Sequence, residues 1–170
     1  MWLEELKYPL DKICIKSGML CPRCQRIVSS GAVKDFEIPI MRQLMDLEDS
    51  VKELKEATYR KAAKSGKHVV IVVEGVGSYV ALEKISKKLG EETGLFIKLV
   101  EWSIDRRKII EQVISPATLA AVNSVWLPDG SEVVIAVVPK KEQKFLGEKV
   151  RDYEAILSNI LGTPTRIRYA

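Results

Sequence analysis

Ser124-Val125-Trp126-Leu127-Pro128-Asp129-Gly130-Ser131-Glu132-Val133-Val134-Ile135-Ala136-Val137-Val138 is the stretch whose reading decides the fold. Asp129-Gly130 is a strong hairpin signal, because a tight reversal needs residues that accept positive φ. Ser124 to Leu127 is then one strand, and the β-branched block Val133 to Val138 is a strand suited to burial. Next, Lys140 to Leu146 reads as a short helix and Gly147 as a break. Val150, Tyr153, Leu157 and Ile160 then recur on one helical stripe, which Gly162 and Pro164 stop. A final strand alternates Ile167 with Arg166 and Arg168. Upstream, Asp105 caps a helix bearing Ile109, Ile110, Val113 and Ile114. Ser115-Pro116 is expected to restart that helix, with serine as cap and proline at the first helical position.

A similar order precedes this one. Asp35 opens a helix whose stripe is Ile38, Met41, Leu44 and Met45, with Pro39 in the first turn. Asp46 to Lys55 is expected to continue it as a charged surface, with Val51 and Leu54 turned inward. Thr58 to Ala63 reads as an edge-like strand and Val69 to Val73 as a strand buried on both faces. Gly75-Val76-Gly77-Ser78 breaks the run, and Ser78 caps a helix with Leu82, Ile85 and Leu89 on one face and Lys84, Lys87 and Lys88 on another. Gly90 or Gly94 ends it before the strand Phe96 to Val100. The two halves form an internal repeat of about 65 residues. The expected organisation is a Cys-containing leader over residues 1–35, a first unit over 36–103 and a second over 104–170.

Helix–strand–strand–helix–helix–strand is the order of a type II KH domain. There, a three-stranded sheet buries one face under helices, and a GxxG turn between adjacent helices brings backbone amides close to nucleic-acid phosphates. The expected fold class is therefore α+β, with tandem type II KH domains behind the leader. The chain resembles the archaeal NusA-like transcription factor family at Ile114-Ser115-Pro116-Ala117, at Ala136-Val137-Val138-Pro139, and at Phe145-Leu146-Gly147-Glu148-Lys149-Val150-Arg151. Lys98-Leu99-Val100-Glu101-Trp102 is similar to the end of the family's first KH domain. The likeness runs from Asp35 to Ala170 and is strongest after Ile104. It implies binding of single-stranded RNA and a role in transcription elongation or termination.

Two departures stand out. In the second unit, Gly147 keeps the first glycine of the turn and Val150 replaces the other, where a β-branched residue is expected to resist the left-handed conformation. Glu148 puts a negative charge in the same loop. In the first unit, the helix between the central strand and the turn is missing, and Gly75-Val76-Gly77-Ser78 follows the strand directly.

The candidate phosphate contacts are Lys140, Lys141, Lys144, Gly147, Lys149 and Arg151 in the second unit, and Gly75, Gly77, Lys84, Lys87 and Lys88 in the first. Trp102, Trp126 and Tyr169 can stack bases, but aromatics beside buried strands are more often core. The balance of 27 basic and 23 acidic residues, +4 overall, permits a polyanionic partner without demanding one. No Walker-type loop, paired histidines or nucleophile elbow is present, and Gly75-Val76-Gly77-Ser78 lacks a phosphate-loop lysine, so an enzyme is not expected. An adaptor is the competing class. In it the leader or the helix near Arg42 docks on RNA polymerase or the ribosome, and the KH units remain as scaffolds.

No apolar run approaches the ~20 residues of a membrane-spanning helix. Met1-Trp2-Leu3-Glu4-Glu5 begins neither a signal nor a transit peptide, so a cytoplasmic protein is expected. Two asparagines and four glutamines among abundant Lys, Glu, Ile and Val suggest a heat-adapted source. The leader holds all three cysteines, Cys14, Cys21 and Cys24, and Cys21-Pro22-Arg23-Cys24 has the spacing of a zinc knuckle. A fourth ligand must come from elsewhere: His68, the sole histidine and otherwise a strand-start residue, or Asp11 or Asp35. A disulfide from Cys14 to Cys21 or Cys24, or a reduced packing cluster, are the other readings. A thioredoxin-like role is not expected, since the motif is not read as opening a helix in a βαβ unit.

Overall fold

A computed structural model describes residues 7–170; the start of the leader, residues 1–6, lies outside the described residues. The chain is α+β, with two three-stranded sheets packed with helices. It divides into two compact units. The first runs up to Ala62 and resumes over Ile71–Glu101; the second joins Ala63–Val70 to Trp102–Ala170. Among the described residues, no helix is long and apolar enough to cross a membrane.

The leader is helical where loops are expected. Helix α1 spans Lys12–Ser17 and α2 spans Pro22–Ser29, both too short to leave a periodic signature. Cys21 is the N-cap of α2 and accepts the Cys24 amide, so the motif does open a helix, although no βαβ unit surrounds it.

Helix α3 covers Glu37–Leu47 and stops there instead of continuing to Lys55. Asp46, Glu48 and Asp49 place negative charge at the negative end of the helix dipole, which discourages a further turn. Val51 and Leu54 are nonetheless buried, the latter in a single 3-10 turn over Lys52–Leu54.

Strands β1 (Thr58–Ser65) and β2 (His68–Glu74) follow, then α4 (Tyr79–Thr93) and β3 (Phe96–Glu101), with sheet order β1-β2-β3. Five consecutive β2 residues, Val69 to Val73, are buried, as their composition requires. A single helix joins β2 to β3, in keeping with the helix missing from the sequence pattern.

In the second unit α5 spans Arg106–Ile114, with Asp105 accepting the Arg107 amide as N-cap. The expected restart at Ser115-Pro116 does not occur. Ser115 is extended (φ −49°, ψ 138°), as a residue preceding proline tends to be. The Thr118 amide is taken by the Glu142 carboxylate at 2.8 Å, so no helical carbonyl receives it. Strands β4 (Ala121–Trp126) and β5 (Glu132–Val138) pair antiparallel, with Val125 opposite Val133. Helices α6 (Gln143–Leu146) and α7 (Val150–Leu161) then lead to β6 (Thr165–Tyr169), which pairs parallel to β5 with Ala136 opposite Ile167. The core is made by Ile109, Ile110 and Val113 of α5, Val134, Ala136 and Val138 of β5, and Ile156 and Leu157 of α7. Trp126 is 68% exposed, so the core reading does not apply to it.

Glu37, 2% exposed, is the buried carboxylate of the first unit. Its Oε1 accepts the Tyr59 hydroxyl at 2.7 Å and the Ala62 amide at 2.8 Å, and its Oε2 accepts the Lys34 amide at 2.6 Å. It thereby ties the start of α3 to β1. Glu37→Ala strands three buried donors and is expected to cost about 3 kcal/mol or more in chemical denaturation, whereas Glu37→Gln should cost less than half as much.

Candidate nucleic-acid turn and candidate metal centre

The parallel return from β5 to β6 places a corner between α6 and α7. The α6 chain ends at Leu146, which is buried, and reverses at Gly147 (φ 50°, ψ −127°). L side chains rarely adopt that conformation. Gly147–Lys149 forms a 3-10 turn that runs directly into α7. Val150 does not adopt the left-handed conformation expected of the second turn glycine. It is right-handed helical (φ −53°, ψ −47°), and no described residue other than glycine has positive φ. The β-branched side chain therefore carries no backbone penalty there, because a helix, and not a second reversal, follows the corner.

Lys140, Lys141, Lys144, Lys149 and Arg151 are all exposed around this corner, as is Gly147. Lys144 Nζ lies 5.4 Å from the centroid of the Phe145 ring, which is 41% exposed. Lys144, Phe145, Gly147 and Lys149 line a concavity of about 490 Å³, with His68 and Asp152 also in its wall. Those two come from within the second unit, whose Ala63–Val70 segment carries the tip of the β1–β2 hairpin. Asp152 accepts the Ser65 hydroxyl at 2.7 Å and lies 3.9 Å from His68 Nε2, so its charge is engaged locally. Glu142 is likewise engaged, and hydrogen bonds from the Thr118 hydroxyl and amide hold its carboxyl below the usual range. Glu148 remains in the lining as an exposed negative charge.

The glycines of the first unit sit differently. Gly75 has φ 93°, and a Cβ there would come within 3.1 Å of the Glu56 carbonyl oxygen, so the residue serves close packing. Its amide donates to Glu101 Oε1 at 2.6 Å. Gly77 (φ 69°) borders open space. Ser78 caps α4 by accepting the Ala81 amide at 3.3 Å; Lys84 and Lys87 are exposed and Lys88 is half-buried.

In the leader, Asp11, Cys14, Cys21 and Cys24 gather so that one ligand atom from each lies within 4.8 Å of all the others, a group that can hold a metal ion. The cysteines are free thiols. Amides point at the sulfurs: Asp11 N–H to Cys24 Sγ at 3.4 Å, Cys21 N–H to Cys14 Sγ at 3.4 Å and Cys24 N–H to Cys21 Sγ at 3.5 Å. The bond from the Cys24 amide is the main influence lowering the Cys21 pKa, while burial pushes the Cys24 thiol up to about 11. Asp11 Oδ2 accepts the Cys21 thiol at 3.5 Å, and Arg23 Nη1 donates to Asp11 Oδ1 at 2.6 Å. Of the three candidate fourth ligands, Asp11 alone joins this group; His68 lies at the second unit's concavity, and Asp35 is not among its members. No sequence signal separated Asp11 from Asp35, because the choice depends on how α1 and α2 fold back on each other.

No protein family and no curated protein matches the chain. Among solved structures, the one titled "Crystal structure of APE1850" aligns with a TM-score of 0.55 at 16% identity, over 76% of this chain and 96% of that one. At that identity the likeness concerns the fold alone.

Gly147→Ala meets no atom within 4 Å of the added Cβ, so its effect isolates the backbone conformation. It is expected to destabilise the second unit by about 1–2 kcal/mol in urea unfolding, against a few tenths for Gly94→Asn at a helix end.

Proposed function

We propose that the chain is a NusA-like RNA-binding protein whose second unit is a type II KH domain, acting stoichiometrically in transcription elongation or termination. The reading is carried by the corner at Gly147, a positive-φ glycine at the mouth of a concavity lined by Lys144 and Lys149. A strand order with β4 antiparallel and β6 parallel to the central β5, and two helices between β5 and β6, supports the domain type. Single-stranded RNA would lie along this corner, its phosphates meeting the lysines and the backbone amides. The first unit, with one helix between β2 and β3 and the Gly75 amide already engaged, would contribute through Lys84 and Lys87. Fluorescence anisotropy with an unstructured RNA oligonucleotide tests the reading. Lys144→Glu with Lys149→Glu is expected to weaken binding about tenfold or more at low salt. Absence of binding by the unaltered protein at low salt overturns it.

The metal group fits zinc. Three thiolates and one carboxylate supply a complete tetrahedral set, and four ligand atoms within 4.8 Å of one another need only a modest contraction to reach bond lengths of about 2.0–2.3 Å. The amides directed at sulfur and the Arg23 guanidinium on the far oxygen of Asp11 are the outer contacts that orient such ligands. Elemental analysis of the purified protein should give about one zinc per chain and much less in Cys21→Ser. A zinc content near zero in the unaltered protein removes this assignment.

A second reading has its own observation. Val125, Trp126 and Leu127 are exposed at the β4–β5 hairpin, a surface suited to a protein partner such as RNA polymerase or the ribosome. Association with either that survives nuclease treatment would favour the adaptor over the RNA binder.

A further inference from the structure

The positive charge of the chain is concentrated in the leader. Between Lys7 and Lys34 lie six basic residues, Lys7, Lys12, Lys16, Arg23, Arg26 and Lys34, against Asp11 alone. The whole chain carries only +4, so everything outside this segment is slightly negative in sum. The corner at Gly147 is itself modest: five cations from Lys140 to Arg151 are accompanied by Glu142 and Glu148. A polyanion approaching this protein therefore meets its largest local excess of cations on the leader.

The cations are placed by helix geometry. Lys12 and Lys16 are four residues apart on α1, and Arg23 and Arg26 three apart on α2, so each pair shares a helix face. Lys16, Arg23 and Arg26 are exposed and Lys12 is half-buried. The bond from Arg23 to Asp11 sets the α2 pair beside the beginning of α1, next to Lys12. Neither helix can hold this arrangement by itself: six and eight residues are too few for helices to persist alone in water. The groups that join them are those of the metal cluster, since Asp11 and Cys14 belong to α1 and its cap, and Cys21 and Cys24 to α2 and its cap. Loading that cluster with a divalent cation sets two positive charges against three thiolates and one carboxylate, which leaves the leader strongly cationic.

We infer that the leader is a second binding surface for RNA phosphates, formed by Lys12, Lys16, Arg23 and Arg26 and assembled by the metal held between α1 and α2. The inference rests on the RNA-binding and metal readings above and names where the electrostatic part of the affinity resides. In single-stranded RNA, neutralising one phosphate contributes about 0.7 to the slope of log affinity against log salt concentration.

The test is that slope, measured by anisotropy with oligouridylate on the full, metal-loaded chain. Lys16→Gln with Arg26→Gln, both exposed and neither a ligand, is expected to lower the slope by about 1.4, with an unchanged thermal melt. Stripping the metal with a chelator should weaken binding at least about fivefold, while Lys144→Gln with Lys149→Gln still lowers the slope further in the stripped protein. An unchanged slope in the leader variant, alongside a reduced slope in the corner variant, overturns the inference and leaves the corner reading standing. The reverse pattern supports the leader and removes the corner. Failure of the unaltered protein to bind at low salt overturns both. A reduced leader slope that is indifferent to chelation overturns the dependence on metal.

Discussion

A strand that pairs in parallel with its predecessor cannot be reached by a hairpin; the chain must first travel back along the sheet. β6 lies parallel to β5, so residues 139–164 have to make that journey, and they do so as two helices with a corner between them. The corner has to reverse the chain just after a buried leucine, which is why Gly147 stands there with its positive φ. The same journey buries Tyr153, Ile156, Leu157 and Ile160 against the sheet and turns the opposite face of α7 to water. The exposed lysines and the concavity follow from a pairing made several residues away, and the site inherits the rigidity of that pairing.

The first unit solves a similar packing problem with fewer parts. One helix, α4, returns the chain from β2 to β3, and its Ser86 hydroxyl bridges the Leu82 carbonyl (2.7 Å) and the Leu99 amide (2.8 Å). With no second helix there is no corner between helices. The cohesion that the second unit obtains from its crossover is supplied here by a buried carboxylate, Glu37, which no apolar pattern can announce.

Periodicity made much of this architecture legible. The β-branched blocks at Val69 to Val73 and Val133 to Val138 became β2 and β5, and the stripes of α4, α5 and α7 lie where their spacing places them. What escaped depends on contacts distant in sequence. The end of α5 is set by Glu142 taking the Thr118 amide from 24 residues away. The conformation of Val150 depends on where the reversal finishes, and Asp11 becomes a neighbour of the cysteines only through the fold-back of α1 and α2. Helices as short as α1 and α2 offer too few repeats for any period to be recognised.

The bond between the Gly75 amide and Glu101 has a consequence for how the two glycine turns differ. A carboxylate delivered by the neighbouring strand is an anion that never has to diffuse: it is present at an effective concentration far above that of any free phosphate. The first turn thus behaves like a receptor supplied with its own tethered ligand. Any nucleic acid contesting that amide faces an intramolecular competitor, and would also have to leave a carboxylate beside its own phosphate. At Gly147 no such competitor is built in, so the two turns of one chain stand at opposite ends of a competition, one self-satisfied and one open.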